Sequence, residues 1–380
     1  MQTTPEGSPL RLARAEALVF RVPIAQPVTT SFGVMRSRPA VVVRLEDADG
    51  VVGWGEIWCN FPAVGAEHRA RLFQSLMAPL LVERTWTVPG EAFATLGRRL
   101  HVLALQTGEE GPIAQVIAGT DVALWDLWGR RAGEPLWRAL GGRPEIAVYA
   151  SGLNPDAPEG LAARKRDEGY RAFKLKVGFG RERDLANLKA LRAALGEHAA
   201  LMVDANQAWE LDEAQAAAEA MAPFGLRWLE EPMPVDAPAD AWTKLAAASA
   251  MPLAGGENIR GTEGFAAAIA AGALGVIQPD IGKWGGFSGC LEVGRKALSA
   301  GRIFCPHWLG GGVGQVASMH LKAAVGGDGF VEVDANDNPL RELLGAPFPL
   351  VREGRVMLGE AAGLGIEPNL AALASYRVAV

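Results

Sequence analysis

Beyond residue 141 the chain alternates short apolar runs with longer stretches rich in Ala, Leu, Glu and Arg. Each interval between runs, 24 to 29 residues, suits one strand followed by one helix. Eight such units at near-constant spacing predict a (β/α)8-type barrel rather than an irregular fold. The runs centre near Val148, Lys174, Val203, Leu229, Ala254, Gln278, Phe304 and Val331.

A doubly wound open sheet is built from the same strand and helix units. In that fold the first strand is followed by a GxGxxG turn that binds a dinucleotide. No run here is followed by that turn, and the nearest stretch, Gly310 to Gly314, lacks the final glycine and lies at the seventh run. The pattern therefore favours the barrel.

The first third of the chain predicts an α+β domain. Residues 14–56 indicate strands, with a hairpin across the DADG turn at residues 47–50. From about His68 to Ala132 the apolar spacing becomes helical, and we expect it to end at Gly129 and Gly133. The GGRP stretch at residues 141–144 interrupts the pattern. We predict domains over 1–140 and 141–340, with residues 341–380 returning to the first.

Composition excludes several classes of protein. The chain has 380 residues, 49% hydrophobic and 21% charged, so it can fill a large core. We expect no membrane span, because the longest nearly apolar stretch is too short, and no secretory signal. The net charge of −6 argues against nucleic acid as a partner. Three scattered cysteines predict neither a disulfide framework nor a zinc site, which fits the cytoplasm.

Three carboxylates follow successive apolar runs. Asp204, Glu230 and Glu257 end the third, fourth and fifth runs, 26 and 27 residues apart, so we expect them at equivalent positions on adjacent strands. Three converging carboxylates repel one another unless a cation neutralises them. Oxygen ligands without Cys or His suit Mg²⁺, with Mn²⁺ possible. The alternative, three separate helix N-caps, is weak because Glu caps poorly.

The second run reads FKLKV at residues 173–177. Side chains alternate along a strand, so Lys174 and Lys176 point to one side and the apolar residues to the other. Both lysines should face the barrel interior, where each lowers the pKa of the other and makes one a usable base. A solvated lysine pair at a sheet edge is the alternative, but a barrel has no edge.

Two further acids and one histidine lie at the remaining strand ends. Asp280 and His307 end the sixth and seventh runs one repeat apart, so we expect a dyad in which the carboxylate orients the imidazole. Glu332 in the eighth run is either a hydrogen-bond donor or a salt-bridged core acid. A substrate on the metal would meet Lys176 and His307 from opposite faces. That arrangement suits removal of a proton next to a carboxylate through an enediolate.

The ordered set of these motifs resembles the enolase superfamily, and specifically its mandelate racemase subgroup (mandelate racemase/muconate lactonizing enzyme-like, with acid-sugar dehydratase relatives). The resemblance covers most of the chain. The motifs are KLK at 174–176, VDANQ at 203–207, WLEEP at 228–232, GGENI at 255–259, QPDIGKWGG at 278–286, PH at 306–307 and VEVDAND at 331–337.

The resemblance implies a modified (β/α)7β TIM-type barrel with an α+β capping domain, and usually a homo-oligomer. It implies Asp204, Glu230 and Glu257 as Mg²⁺ ligands. Lys176 and the His307–Asp280 dyad would be the acid/base catalysts. The remaining implied roles are substrate carboxylate binding and pKa control for Lys174, hydrogen bonding to the enediolate for Glu332, assistance near the metal for Asn206, and closure over the substrate for cap loops at residues 29–35 and 57–64.

The resemblance leaves the outcome of the reaction open. Dehydration of an acid sugar is our first expectation, with a small-molecule carboxylate as substrate, and racemisation or epimerisation of a 2-hydroxy acid is second. A third interpretation takes Lys283 as the base opposite Lys176, although relatives with that base generally lack the His dyad. A non-catalytic acid-sugar binding protein is the alternative from another class. The aromatic residues Phe32, Trp58 and Phe61 give the cap loops apolar bulk without identifying the acid.

Overall fold

A computed structural model describes residues 9–30 and 33–380 of the chain, and none of the helices there is long and apolar enough to cross a membrane. The N-terminal part is an antiparallel sheet covered by helices. Its elements are β1 (Leu10–Thr30), β2 (Gly33–Asp47), β3 (Val52–Ile57), α1 (Gly65–Leu72), a π-helical turn (Phe73–Met77), α2 (Ala78–Val82), β4 (Thr85–Trp86), α3 (Pro89–Thr107), α4 (Glu110–Ala132) and α5 (Leu136–Ala139).

The predicted hairpin is present as β2 and β3, which pair from Val41 with Ile57 to Glu46 with Val52. Helix α4 lies directly on the backbone of β3. A Cβ atom at Gly53 would lie 2.5 Å from the carbonyl oxygen of Ala123, and one at Gly55 would lie 2.1 Å from that of Gly119. Glycine is therefore required at both strand positions by the close approach of the helix.

The expectation that the helical pattern ends at Gly129 is wrong. Helix α4 continues to Ala132 and ends at Gly133, which takes the left-handed conformation usual after a helix. Gly129 lies inside it because the chain after the helix packs close by: a Cβ atom there would be 3.0 Å from the Cα of Gly363. The glycine marks a packing contact and not a helix end.

The second part is a barrel in which seven strand–helix pairs precede a final strand. The eight strands run in the order β12, β5, β6, β7, β8, β9, β10, β11, all parallel where paired. The strands and the helices that connect them are, in chain order, β5 (Glu145–Leu153), α6 (Pro158–Asp167), β6 (Ala172–Lys176), α7 (Arg181–Leu195), β7 (Ala200–Asp204), α8 (Leu211–Met221), β8 (Leu229–Glu230), α9 (Ala239–Ala248), β9 (Leu253–Gly255), α10 (Gly261–Ala271), β10 (Leu274–Ile277), α11 (Gly286–Ser299), β11 (Ile303–Phe304), α12 (Gly312–Val325) and β12 (Val331–Asp334).

The barrel interior is filled at its base by one layer of apolar side chains. The strands place alternate residues inside, and those that point outward pack against the helices. Above this layer the inward positions become polar, so the predicted chemistry lies at the C-terminal ends of the strands. The base layer consists of Tyr149, Ala172, Met202, Trp228, Ala254, Val276 and Cys305.

The C-terminal residues contact both parts of the chain. Two short strands extend the barrel sheet beside β5, whereas the last strand pairs with β1 of the N-terminal sheet. The elements are α13 (Pro339–Leu344), β13 (Val351–Arg352), β14 (Arg355–Met357) and β15 (Arg377–Val378).

Glu56 of β3 joins the N-terminal sheet to the barrel. Its buried carboxylate accepts backbone N–H groups of Gly311, at 2.5 Å, and Gly314, at 2.9 Å, at the start of α12. Burial raises the pKa of Glu56 to about 7. A Cβ atom at Gly311 would lie 2.6 Å from the carboxylate. The glycine-rich stretch after His307 thus receives a side chain from the capping sheet.

Asp121 of α4 makes a second buried connection, because its carboxylate accepts bonds from the amide (2.9 Å) and hydroxyl (2.6 Å) of Ser288 in α11. Burial raises the pKa of Asp121 to about 7, well above an unfolded value of about 3.9. Protonation of Asp121 is therefore easier in the folded state than in the unfolded state, and it adds up to about 4 kcal/mol to the free energy of unfolding. This contribution is fully present below about pH 4 and is lost as the pH rises through 7.

We expect Asp121→Asn to remove this pH dependence. Denaturant unfolding of wild type and variant at pH 5 and pH 8 measures it: wild-type stability should fall across this range relative to the variant. Ser288→Ala, which removes the hydroxyl partner and keeps the acid, is the matched control and should retain the slope. If the difference in free energy of unfolding between wild type and Asp121→Asn were the same at pH 5 and pH 8, Asp121 would not be the source of the pH dependence.

Candidate active site

The three predicted metal ligands lie at the barrel mouth, but not at equivalent positions. Asp204 and Glu230 end β7 and β8 and are register partners. Glu230 also pairs with Ala254, so Glu257 lies three residues beyond the matching position, past the end of β9. The expectation of equivalence is wrong for Glu257, because the strands of a barrel are staggered and their ends do not follow sequence spacing. All three side chains are buried.

Lys174 and Lys176 point into the barrel, as the alternation predicts, and pair with these acids. The Lys174 ammonium donates to Glu230 and lies 3.0 Å from Glu332 and 3.6 Å from Asp204. The Lys176 ammonium donates to Asp204 at 2.6 Å and to the amide oxygen of Asn206 at 2.8 Å. Lys174 therefore contacts acids of the third, fourth and eighth barrel strands, and it shares Asp204 of the third with Lys176.

The expected lowering of the lysine pKa is wrong for this arrangement. Burial lowers the pKa of Lys176, and so does the Lys174 ammonium, but the charges of Asp204 and Glu257 and the Asp204 hydrogen bond raise it, and the net shift is upward. Burial likewise lowers the pKa of Lys174, yet Glu230 and Glu332 raise it well above its usual range. The prediction rests on the two like charges of residues 174 and 176, whereas in the fold carboxylates from other strands face both lysines.

His307 and Asp280 form the expected dyad. Imidazole Nδ1 lies 2.6 Å from Asp280 Oδ2, while Asp280 Oδ1 accepts the N–H groups of Gly282 and Lys283 at 2.8 Å each. With Nδ1 held by the carboxylate, Nε2 faces the interior, 2.9 Å from Glu257. Burial alone lowers the pKa of His307, but the carboxylate charges and the Asp280 hydrogen bond raise it well above its usual range.

Glu332 lies on β12, between Lys174 and His307. Its carboxylate accepts from Ser151 Oγ, pairs with Lys174 at 3.0 Å, and places Oε2 3.5 Å from His307 Nε2. Burial raises the pKa of Glu332, but the charges of Lys174 and His307 lower it, and the net pKa is below its usual value. Of the two sequence interpretations, the ion pair is the one present here.

Several residues around the acids contact the site although the sequence patterns do not predict them as site residues. Trp228 Nε1 and Gln278 Nε2 donate to Glu230 at 3.0 and 2.7 Å. Each lies two residues before a predicted site residue, Glu230 or Asp280, in the same apolar run. Side chains two residues apart on a strand point to the same side, so this spacing could have predicted both contacts. Glu231, buried with a pKa raised to about 8 by burial, accepts from Asn258 at 2.9 Å. Glu231 lies in the WLEEP motif, in which only Glu230 was assigned a role.

Lys283 also reaches the site. Its ammonium donates to Glu257 at 2.8 Å and to the amide oxygen of Asn258 at 3.0 Å. The ring of Trp58, from the loop after β3, covers it with its centre 4.8 Å from the nitrogen. Phe61 of the same loop lies against Gly33, where a Cβ atom would be 3.0 Å from the ring, whereas Phe32 lies outside the described residues.

The donor set fits a magnesium ion by its chemistry. Asp204, Glu230 and Glu257 offer only hard carboxylate oxygens, and their repulsion is evident because Glu257 raises the pKa of the other two. In residues 9–30 and 33–380 no three acidic, His or Cys side chains are already arranged around one point. Lysine ammonium groups and His307 neutralise the three acids instead.

Comparison with known families identifies the chain. Residues 14–141 match the mandelate racemase / muconate lactonizing enzyme N-terminal domain, and residues 159–372 match the enolase C-terminal domain-like family. The chain is a member of the enolase superfamily, in its mandelate racemase subgroup. The fold expected from the resemblance, a TIM-type barrel with a capping domain, is confirmed.

Relatives of this enolase superfamily member have several activities. It is 34% identical to a D-galactarolactone cycloisomerase from Agrobacterium fabrum, over 90% of this chain and 92% of the relative. It is 27% identical to an arabinonate dehydratase from Saccharolobus solfataricus, over 86% and 87%. A crystal structure named mandelate racemase/muconate lactonizing enzyme from Bordetella bronchiseptica RB50 is 54% identical, with a TM-score of 0.92, covering 97% of this chain and 100% of that one.

Members of the superfamily bind magnesium. A structure from Bradyrhizobium, complexed with magnesium and mandelic acid, is 30% identical to this chain with a TM-score of 0.86, and the match covers both chains fully. The similar proteins are enzymes that comprise dehydratases, cycloisomerases and racemases. This breadth leaves the reaction of this superfamily member to be inferred from its site.

Proposed function

We propose that the protein removes the proton next to the carboxylate of an acid sugar and expels the β-hydroxyl group as water. The observation that carries the proposal is the placement of two acid/base groups around one cluster of carboxylates: Lys176 beside Asp204, and the Asp280-oriented His307 beside Glu257. Similarity to an arabinonate dehydratase and to an L-talarate/galactarate dehydratase supports an acid sugar as substrate.

The residues divide the chemistry between two flanks. Lys176, as the neutral amine, accepts the α-proton, and the C–H electron pair first forms the enediolate. As the β C–O bond breaks, this pair forms the Cα–Cβ double bond, and the resulting enol takes up a proton at Cβ to give the keto acid. His307, held by Asp280, donates the proton that lets the hydroxyl leave as water. Lys174 binds the substrate carboxylate, and Glu332 holds its place through Lys174 and Ser151.

We further propose that Asp204, Glu230 and Glu257 hold Mg²⁺, or Mn²⁺ in its place, with Asn206 close by. When bound, the cation supplies positive charge that stabilises the enediolate form of the substrate. For the cation to bind, Asp204, Glu230 and Glu257 would have to give up their ion pairs with Lys176, Lys174 and Lys283. Neutralisation of the acids would then lower the pKa of Lys176 and free its amine to act as a base.

A cycloisomerisation is the second candidate, favoured by the similarity to D-galactarolactone cycloisomerase over nine-tenths of the chain. That reaction also begins with removal of the α-proton, but the group that leaves the β-carbon is the ring oxygen of a lactone instead of a hydroxyl. Racemisation, in which the two bases act on opposite faces and nothing leaves, is the other isomerase outcome. A non-catalytic binding protein receives no support, because every expected acid/base residue is in the site and the similar proteins are enzymes.

One experiment separates these outcomes. A panel of acid sugars, their lactones and mandelate is incubated with protein and Mg²⁺ in deuterated water and followed by NMR. Dehydration predicts deuterium incorporation with formation of a keto acid; ring opening predicts an isomer, and racemisation predicts exchange with inversion only. Absence of exchange in every acid would contradict the proposal.

The role of Lys283 is tested separately. We expect Lys283→Ala to retain α-proton exchange within about tenfold, because its ammonium pairs with Glu257 and lies under Trp58 rather than on the dyad. His307→Asn should instead lose elimination. If Lys283→Ala abolished exchange while His307→Asn did not, Lys283 would be the second base and the dyad assignment would be wrong.

A further inference from the structure

A fully buried tryptophan packs against both members of the dyad. Trp308 directly follows His307 and donates from Nε1 to the carbonyl oxygen of Gly311 at 2.9 Å. Its ring also lies against Gly282, where a Cβ atom would overlap the indole, and the amide of Gly282 donates to Asp280 at 2.8 Å. Because buried side chains are closely packed, a shift of this ring would disturb His307 and the turn that holds Asp280.

The opposite side of the indole lies on the start of α12. A Cβ atom at Gly310 or at Gly314 would overlap the ring of Trp308, so glycine is required at both positions by this close approach. The place of the ring therefore depends on where the helix begins.

Glu56 of the capping sheet holds the start of α12. Its Oε1 accepts the amide of Gly311 and its Oε2 accepts the amide of Gly314, and the side chain is 2% exposed. The start of a helix leaves amide groups without intrahelical partners and favours negative charge. A carboxylate matches both donors, whereas a side-chain amide has only one oxygen to accept them.

The position of this carboxylate is unusual for the fold. TIM barrels frequently bind a phosphate group of the substrate at the loop after the seventh strand. Helix α12 follows the seventh barrel strand, β11, and here a carboxylate of the chain itself accepts the amides at its start. The place therefore connects the capping domain to the barrel mouth.

We propose that Glu56 is a positioning residue for the His307–Asp280 dyad, acting through the start of α12 and Trp308. The inference rests on the proposed function, in which His307 protonates the leaving hydroxyl and Lys176 removes the α-proton. The described hydrogen bonds of Lys176 involve none of the other residues in this series of contacts. Loss of the Glu56 carboxylate should thus impair proton donation by His307 and spare proton removal by Lys176.

Glu56→Gln separates the two steps. At pH 8, above the pKa of about 7 for Glu56, and with saturating Mg²⁺, the best acid from the panel should be dehydrated roughly 10- to 100-fold more slowly than by wild type, because a misplacement of about 1 Å costs up to about 10²-fold. Exchange of the α-proton in deuterated water should stay close to that of wild type. A variant that is only less stable would lose both activities in proportion.

The dyad can also be observed without substrate. The Nδ1 proton of His307, held between nitrogen and Asp280 at 2.6 Å, should give a far-downfield signal in the proton NMR spectrum, and His307→Asn should abolish it. We expect Glu56→Gln to shift or broaden this signal in the Mg²⁺-loaded protein.

Gly311→Ala distinguishes position from charge and serves if Glu56→Gln fails to fold. It keeps the Glu56 carboxylate but places a Cβ atom 2.6 Å from it, so the start of α12 must move. We expect the same change in the NMR signal and the same selective loss of dehydration. A normal signal and normal dehydration in Gly311→Ala, with both altered in Glu56→Gln, would show that Glu56 acts by its charge and would overturn the positioning role.

Asp126→Asn is the matched control. Asp126 is a buried acid of α4 that also accepts two backbone amides, from Trp54 at 2.8 Å and from Leu364 at 2.6 Å, but none of its described bonds reaches the start of α12. Whatever its effect on stability, it should leave the NMR signal and the ratio of dehydration to exchange as in wild type. The same changes in Asp126→Asn as in Glu56→Gln would overturn the inference.

The two readouts separate this inference from the proposed function. If Glu56→Gln alters the NMR signal but wild type neither exchanges nor dehydrates any acid, the positioning role stands and the proposed chemistry fails. If wild type dehydrates an acid and Glu56→Gln loses exchange and dehydration equally, the chemistry stands and the positioning role fails. An unchanged signal in Glu56→Gln would also overturn it, because the bonds from Asn60 and Asn338 to carbonyl groups of this loop would then suffice. A wild-type protein without the signal would lack the ordered dyad and overturn the inference as well.

Discussion

Lys176→Ala should reduce exchange of the substrate α-proton by roughly 10⁴-fold, the upper range for removal of a positioned base. Among the described residues the ammonium donates to Asp204 and Asn206, whereas the neighbouring ammonium of Lys174 donates to Glu230 and lies 3.6 Å from Asp204. Single-turnover exchange in deuterated water, with the best acid from the panel, measures the loss. Binding of the same acid should change much less than exchange.

The matched variant is Lys176→Arg. It keeps a positive charge for Asp204, but a guanidinium is not deprotonated near neutral pH and cannot serve as the base. Loss of exchange in both variants, with thermal stability close to wild type, would indicate proton transfer by Lys176. Lys296→Ala, at an exposed lysine paired with Glu292 on α11, controls for loss of surface charge. Retention of exchange in Lys176→Arg would show that the residue supplies charge alone.

Asp204→Asn should abolish both magnesium binding and exchange, with a loss comparable to that of the base variant. A carboxylate at this position supplies negative charge that an isosteric amide lacks, and Mg²⁺ binds charged oxygen ligands preferentially. Treatment of wild type with a chelator should have the same effect and be reversed by added Mg²⁺. Because a ligand that binds only the folded state stabilises it, Mg²⁺ should raise the Tm of wild type and not of the variant.

Asp240→Asn provides the control, since this exposed carboxylate on α9 pairs only with Lys244 among the described contacts. Its Mg²⁺-dependent Tm shift should equal that of wild type. A full Mg²⁺ response in Asp204→Asn would place the cation elsewhere, and exchange that survives exhaustive chelation would refute the metal requirement. Neither result would decide whether Lys176 is the base, which the Lys176 variants test separately.

Alternation and repeat spacing were sufficient for much of the fold. The centres near Lys174, Val203 and Leu229 fall inside β6, β7 and β8, whereas Gln278 falls one residue after β10. The inward direction of Lys174 and Lys176 followed from a period of two, which is a property of any strand. The pairing of Asp280 with His307 followed from one repeat length between neighbouring strands.

The remainder depends on distances that a linear pattern does not contain. Glu257 is offset from Glu230 by the stagger of the barrel, and the direction of the lysine pKa shifts depends on carboxylates from other strands. Arg38 lies on β2, in a stretch whose pattern predicts only strands, yet its buried partner Asp334 is 296 residues away. Such contacts arise from tertiary packing, so the pattern of one sequence does not predict them.

The bond from Glu56 to the start of α12 restricts how this protein can be recombined with its relatives. A barrel expressed alone would expose or orphan the amides of Gly311 and Gly314, which receive no other acceptor in the contacts described for them. A capping domain from another relative would therefore need an acid at the same place on its third strand. A chimera that keeps the glycine-rich stretch after His307 must therefore keep this acid as well, although Glu56 and Gly311 are 255 residues apart in the chain.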